Sequence, residues 1–125
     1  MRPSKRTLPV IAILLTALAG CSRDSNIGEV SGTVTYQGKP VPFAAVEFDP
    51  VGEGKNSLGW TDEAGNYTVQ YTLSQSGALI GKHTVTLRTY AQEGQSPVPV
   101  PPEFGGKGGA VFEVKPGSNK FDIQL

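Results

Sequence analysis

Apolar residues follow two regimes along the chain. Val10 to Ala19 is apolar except for Thr16, whereas from Glu29 onward apolar and polar residues alternate with period two. Such alternation, carried by β-branched residues, marks strands buried on one face. In the first strand Val30, Gly32, Val34 and Tyr36 point one way, and Ser31, Thr33 and Thr35 the other. Gln37-Gly38-Lys39-Pro40 predicts a turn. The second strand sends Ala44, Val46 and Phe48 inward and Ala45, Glu47 and Asp49 outward, and it stops at Pro50. A third covers Ser57 to Thr61, where Trp60 shares a face with Leu58 and is expected to be partly buried. Asp62-Glu63-Ala64-Gly65-Asn66 turns the chain into a fourth through Tyr67, Val69 and Tyr71. Gly81 opens a fifth, with His83, Val85 and Leu87 on its inward phase. The last two flank Lys115 to Asn119 and bury Ala110, Phe112 and Val114, then Phe121, Ile123 and Leu125. Short strands at this spacing, punctuated by Gly and Pro, predict an all-β, seven-stranded antiparallel sandwich. Ser74 to Leu79 is the one segment expected to hold a helical turn.

The first regime is a different kind of segment. An apolar run of about 10 residues falls well short of the roughly 20 needed to cross a bilayer as a helix. Arg2, Lys5 and Arg6 precede it and small residues follow it, which is the layout of a secretory leader. Leu18-Ala19-Gly20-Cys21 holds the only cysteine. This stretch resembles the lipobox of bacterial lipoproteins. The resemblance implies cleavage before Cys21, a diacylglycerol on its sulfur and a further acyl chain, such as palmitate, on the new amine. Two or more chains anchor a protein firmly where one does not. The alternative is an ordinary signal-peptidase cut that leaves a free thiol. The chain then divides into a leader, residues 1–20; the lipidated cysteine and a polar tether, 21–28; and a β-domain, 29–125. Ser22 stands where aspartate would mark inner-membrane retention in enteric-type sorting. The expected location is therefore the cell envelope, at the outer membrane rather than the inner.

Of 125 residues, 105 remain after the leader, enough for a single domain. The chain has 11 basic and 11 acidic residues, and losing Arg2, Lys5 and Arg6 leaves 8 against 11, a net charge of −3. No basic stripe is present, which argues against nucleic acid as a partner. With Cys21 carrying lipid, no disulfide can form and apolar packing must hold the core.

The order of motifs along the domain carries a second resemblance. Val30-Ser-Gly-Thr-Val34, Gly38-Lys-Pro40 and Ala44-Ala-Val46-Glu-Phe48 resemble the opening of carboxypeptidase regulatory-like domains. Thr61-Asp62-Glu-Ala-Gly65-Asn-Tyr67 and Gly81-Lys-His-Thr-Val85 look like their second and third signatures. The resemblance spans residues 29–125 and implies a transthyretin-like (prealbumin-like) sandwich. The tail, from Pro101-Pro-Glu-Phe104 to Lys120-Phe121-Asp-Ile123, is similar to small lipoproteins of planctomycete type. Free-standing members of that group imply an accessory module rather than an enzyme.

Candidate chemistry is sparse. Glycine inside a strand, as at Gly32, marks close approach of another backbone or a large ring. Asp62 suits a turn cap, with Gly65 at positive φ and Tyr67 packed beneath. Calcium at Asp62, Glu63 and Asn66 would need more oxygen ligands at fixed spacing. His83 is expected to be packed and hydrogen-bonded; zinc would need further His or Cys ligands, so no metal or other cofactor is expected. No Gly-x-Ser-x-Gly turn occurs. The chain ends Phe121-Asp-Ile-Gln-Leu125, without the Tyr-Arg-Gly-Ser terminus of transthyretin-like hydrolases. Glu47 and Asp49 read as outward charges rather than a glycosidase pair. The first strand has no lysine for the internal amide crosslink of collagen-adhesin repeats.

What remains is surface. Ala91 to Gly109 is long and rich in proline and glycine, and loops of this length are commonly functional or mobile. Its Ser96–Pro102 portion is expected to be extended and polyproline-like, a form that partners bind readily. Trp60, Tyr90, Pro99 and Phe104 are the candidate binding residues. The expected function is a membrane-anchored, non-catalytic module that binds an envelope protein or plays a structural accessory part. The alternative is a lipoprotein that binds carbohydrate or peptidoglycan, with an exposed Trp60 as stacking platform.

Overall fold

The computed structural model describes residues 26–106 and 109–125. Cys21 and the lipobox residues Leu18, Ala19 and Gly20 lie outside the described residues, as does the leader. The described residues form a mostly antiparallel β-sheet. Its strands are β1 (Ile27–Tyr36), β2 (Lys39–Pro40), β3 (Ala45–Pro50), β4 (Ser57–Trp60), β5 (Asn66–Thr72), β6 (Gln75–Ser76), β7 (Ala78–Leu79), β8 (Gly81–Arg88), β9 (Val111–Val114), β10 (Ser118–Lys120) and β11 (Ile123–Gln124). No α-helix occurs among them, only a single 3-10 turn at Pro102–Phe104.

Seven of these strands make one hydrogen-bonded path in the order β10-β1-β5-β4-β3-β8-β9. The two ends of this path, β9 and β10, are joined by Lys115, Pro116 and Gly117 alone. Four Cα steps reach about 15 Å at most, so the ends must meet and the sheet must curl. Gly28 shows the closure directly, since a Cβ there would lie 2.3 Å from Lys115 O and 2.9 Å from Val114 Cγ1.

Two expectations need correction. β10 and β11 pair with β1 in parallel, so the sheet is not wholly antiparallel. After β9 the chain does not fold back as a hairpin; it crosses to the far edge of β1, and that crossing sets the parallel sense. Residues 74–79 also hold no helical turn. They form the short strands β6 and β7, which pair with β5 and β1.

Period-two alternation placed the core correctly. Val30, Val34, Val46, Phe48, Val69 and Val85 are fully buried. Phe48 is its hub, with the rings of His83, Phe112 and Phe121 edge-on at centroid distances of 5.8, 6.0 and 6.3 Å. Such edge-to-face contacts suit the ring quadrupole. Ala45 departs from its outward phase and is buried, because its cross-strand neighbours Trp60 and Arg88 cover it.

Gly32 explains why the first strand carries no side chain at its centre. A Cβ there would sit 1.9 Å from Phe121 O and 3.0 Å from a Tyr67 ring carbon. Tyr67 passes under β1 and its hydroxyl donates to Phe121 O, tying β5 to the C-terminal segment. Burial, reinforced by the Asp122 carboxylate, pushes the Tyr67 phenol well above its ordinary pKa. The turn before Tyr67 is built as its residues predict. Asp62 Oδ1 accepts from the amides of Ala64 and Asn66, both at 2.9 Å, and Gly65 has φ +78°.

Candidate binding face

The outward phases of β8, β3, β4 and β5 lie side by side, and the register sorts them into rows. One row is Thr86, Glu47, Leu58 and Gln70; the next holds Arg88, Ala45 and Trp60. Because Ala45 is small, the Trp60 and Arg88 side chains close over it and leave a shallow hollow beside them. Tyr90, two residues beyond β8, lines the same hollow. Its ring stacks on Trp60 at 5.7 Å between centroids, with 26° between planes.

This pair is exposed. Trp60 is 53% exposed, Tyr90 48% and Leu58 40%. The expectation that Trp60 is partly buried packing is therefore corrected. Inward positions of β4 belong to Ser57 and Gly59, and Trp60 shares the outward face with Leu58, so the ring has no core to enter.

Trp60 separates two troughs. One, of about 200 Å³, is bounded by Glu47, Thr86, Arg88 and the stacked rings. Asn56 Nδ2 donates to Glu47 Oε1 at 3.1 Å and holds that carboxylate in the face. The other trough, of about 450 Å³, runs along Gln70, Tyr71 and Leu73. On its wall Lys55 Nζ donates to Tyr71 O at 2.8 Å and sits 5.2 Å over the Tyr71 ring. An apolar ridge flanked by donors and acceptors is what a recognition surface requires.

The other candidates separate from this ridge. Phe104 is buried, and its ring packs with the core from the 3-10 turn. It is thereby removed from the candidate surface and acts as the pin of the long connection. Val98 and Val100 also pack inward, while Pro97 and Pro99 stay exposed on the opposite phase. Thr89 Oγ1 donates to Val98 O at 2.5 Å, which holds this proline-rich segment beside the end of β8. Pro99 is thus presented outward but is not part of the stacked pair.

His83 is buried, with Nε2 2.6 Å from Leu79 O. A carbonyl only accepts, so Nε2 carries a proton, and Nδ1 is buried without a partner. The ring is closed off from solvent and serves packing against Phe48. Among the described residues, no three His, Cys, Asp or Glu side chains gather as metal ligands.

No family model, curated protein or solved structure matches this chain.

The case for the face therefore rests on its own geometry. Glu47 was read from the sequence only as an outward charge, and Arg88 and the second trough were not singled out. Their outward phases were readable, but only cross-strand register brings them to Trp60.

Proposed function

We propose that this chain is a lipid-anchored envelope protein whose β-domain, a transthyretin-like sandwich of the carboxypeptidase regulatory-like kind, is a non-catalytic binding module. The stacked, exposed Trp60–Tyr90 pair carries the reading. Large apolar rings held side by side in water gain from being covered, and paired aromatics are frequent anchors of protein interfaces. An envelope protein is the partner this apolar ridge suits best. The lipobox resemblance supplies the anchor, through diacylglycerol on Cys21.

Carbohydrate is the second reading, and one observation favours it. Glu47, Thr86 and Arg88 line the trough against the ring pair, so hydroxyl-bearing groups stacked on Trp60 would meet charged and polar partners. Peptidoglycan or another envelope polysaccharide would present such groups.

The test has two arms. Cells fed labelled palmitate should label the wild-type chain and not Cys21→Ser, which should leave the membrane fraction; retention of Cys21→Ser in that fraction would refute the anchor. Trp60 is the only tryptophan, so its fluorescence reports on the face without added probes. A shift on titration with envelope polysaccharide, absent in Tyr90→Ala, would replace the protein partner by a glycan.

A further inference from the structure

The geometry points to a second contact surface: the end of the sheet where the chain enters lies against the bilayer, through Val51, Leu73 and Ile80. This rests on the proposed lipid anchor at Cys21.

Three loop tips meet at that end. The amide of Ile80 donates to Asn26 O at 2.7 Å, so the 79–81 segment sits directly beside the chain entry. The amide of Val51 donates to Lys82 O at 2.9 Å, which brings the β3–β4 loop to the same place. Lys55, in that loop, bonds Tyr71 O, and the β5–β6 turn bearing Leu73 follows directly. At these tips the large aliphatic side chains point into water. Leu73, which with Lys55 also closes the near end of the trough of about 450 Å³, is fully exposed, Val51 is 63% exposed and Ile80 38%. Lys55 and Lys82 lie among them, with Glu53 in the same loop as Val51 and Glu113 opposite Lys82 across β8–β9. Aliphatic tips set among charged side chains of both signs fit the boundary between headgroups and acyl chains.

Tether length selects the bilayer as the occupant. Cys21 precedes Asn26 by five residues, a reach of about 17 Å at full extension. Arg88, level with Trp60 through their shared partner Ala45, lies seven residues beyond Gly81, about 24 Å along β8. A lipid on Cys21 therefore holds the Asn26 end at the membrane and directs the Trp60–Tyr90 ridge away from it. Without that constraint the aromatic end, with Phe43, Trp60 and Tyr90 exposed, would be the stronger candidate for insertion.

The test uses the lipidated full-length protein in phosphatidylethanolamine–phosphatidylglycerol vesicles containing a lipid with a nitroxide high on its acyl chain. Trp60 reports the far end in the wild type. Val51→Trp in a Trp60→Phe background reports the near end. Leu73→Trp in the same background is the second reporter, at a position with no packing to lose. Circular dichroism confirms that each variant is folded, and flotation confirms that it is bound. The expected result is quenching of both near-end reporters several-fold beyond that of Trp60. Equal quenching, or stronger quenching of Trp60, in vesicle-bound protein would overturn the docking while leaving the anchor intact. Failure of the wild type to float with the vesicles would refute the anchor itself, and the docking with it.

Discussion

Replacing Tyr67 by phenylalanine removes one oxygen atom and tests how β5 is tied to the C-terminal segment. The Tyr67 hydroxyl donates to Phe121 O across a contact that Gly32 keeps open. Loss of that bond leaves a shielded carbonyl without its donor, a cost of about 1–3 kcal/mol. Against the roughly 5–15 kcal/mol that holds a domain of this size, that is a substantial fraction. The pH dependence is more diagnostic. Burial, then Asp122, raises the folded-state pKa of the phenol above its unfolded value. The unfolded chain loses this proton at about pH 10, and the folded chain only at higher pH. Above that point the native state binds more protons than the unfolded one, so stability falls as pH rises. The stabilisation is fully present below about pH 10 and declines by about 1.4 kcal/mol per pH unit beyond it. Urea unfolding at about pH 8 and about pH 11 measures both effects. Tyr67→Phe should be weaker at the lower pH and should lack the alkaline decline attributable to this phenol. Equal alkaline losses in the two proteins would refute the reasoning.

Other residues give sharper single readouts. Phe48→Ala should cost about 3–5 kcal/mol in denaturant unfolding, because its buried ring is the hub for His83, Phe112 and Phe121. Gly32→Ala should be at least as harmful, since its Cβ meets the Phe121 carbonyl; a folded variant with wild-type thermal stability would show that β1 and the C-terminal segment separate easily. Asp62→Ala removes two bonds that close the β4–β5 turn, and the melting temperature should fall by an amount equivalent to about 1 kcal/mol. Trp60→Ala should change stability far less than Phe48→Ala while removing partner capture, because more than half of its surface already faces water.

The strands were legible because their chemistry is local. Val30, Val34, Val46 and Phe48 alternate with polar neighbours, and each lies where that alternation puts it. The Asp62 turn was equally legible, since the acceptor, the glycine and the two amides it serves are contiguous. Features that depend on pairing were not. Ala45 and Trp60 are opposite each other only through β3–β4 register, and that register buries the alanine. The parallel placement of β10 follows from where the three residues after β9 carry the chain, which no periodicity encodes. Phe104 lies in a stretch without alternation, so nothing in its neighbours distinguishes a pin from an exposed ring. The binding ridge was half visible: Trp60 and Tyr90 drew notice as aromatics, but their stacking depends on where the chain carries Tyr90 beyond the end of β8.

The central claim is that the Trp60–Tyr90 face recognises an envelope partner. A photo-crosslinking residue at Leu58, exposed beside Trp60, tests it most directly in living cells, with a reporter at exposed Gln124 on β11 as the control surface. The account predicts one dominant adduct from the Leu58 position, lost in Trp60→Ala and in Tyr90→Ala, with no such adduct from the control. Equal adducts from both positions, or an adduct at Leu58 that survives both ring substitutions, would contradict it.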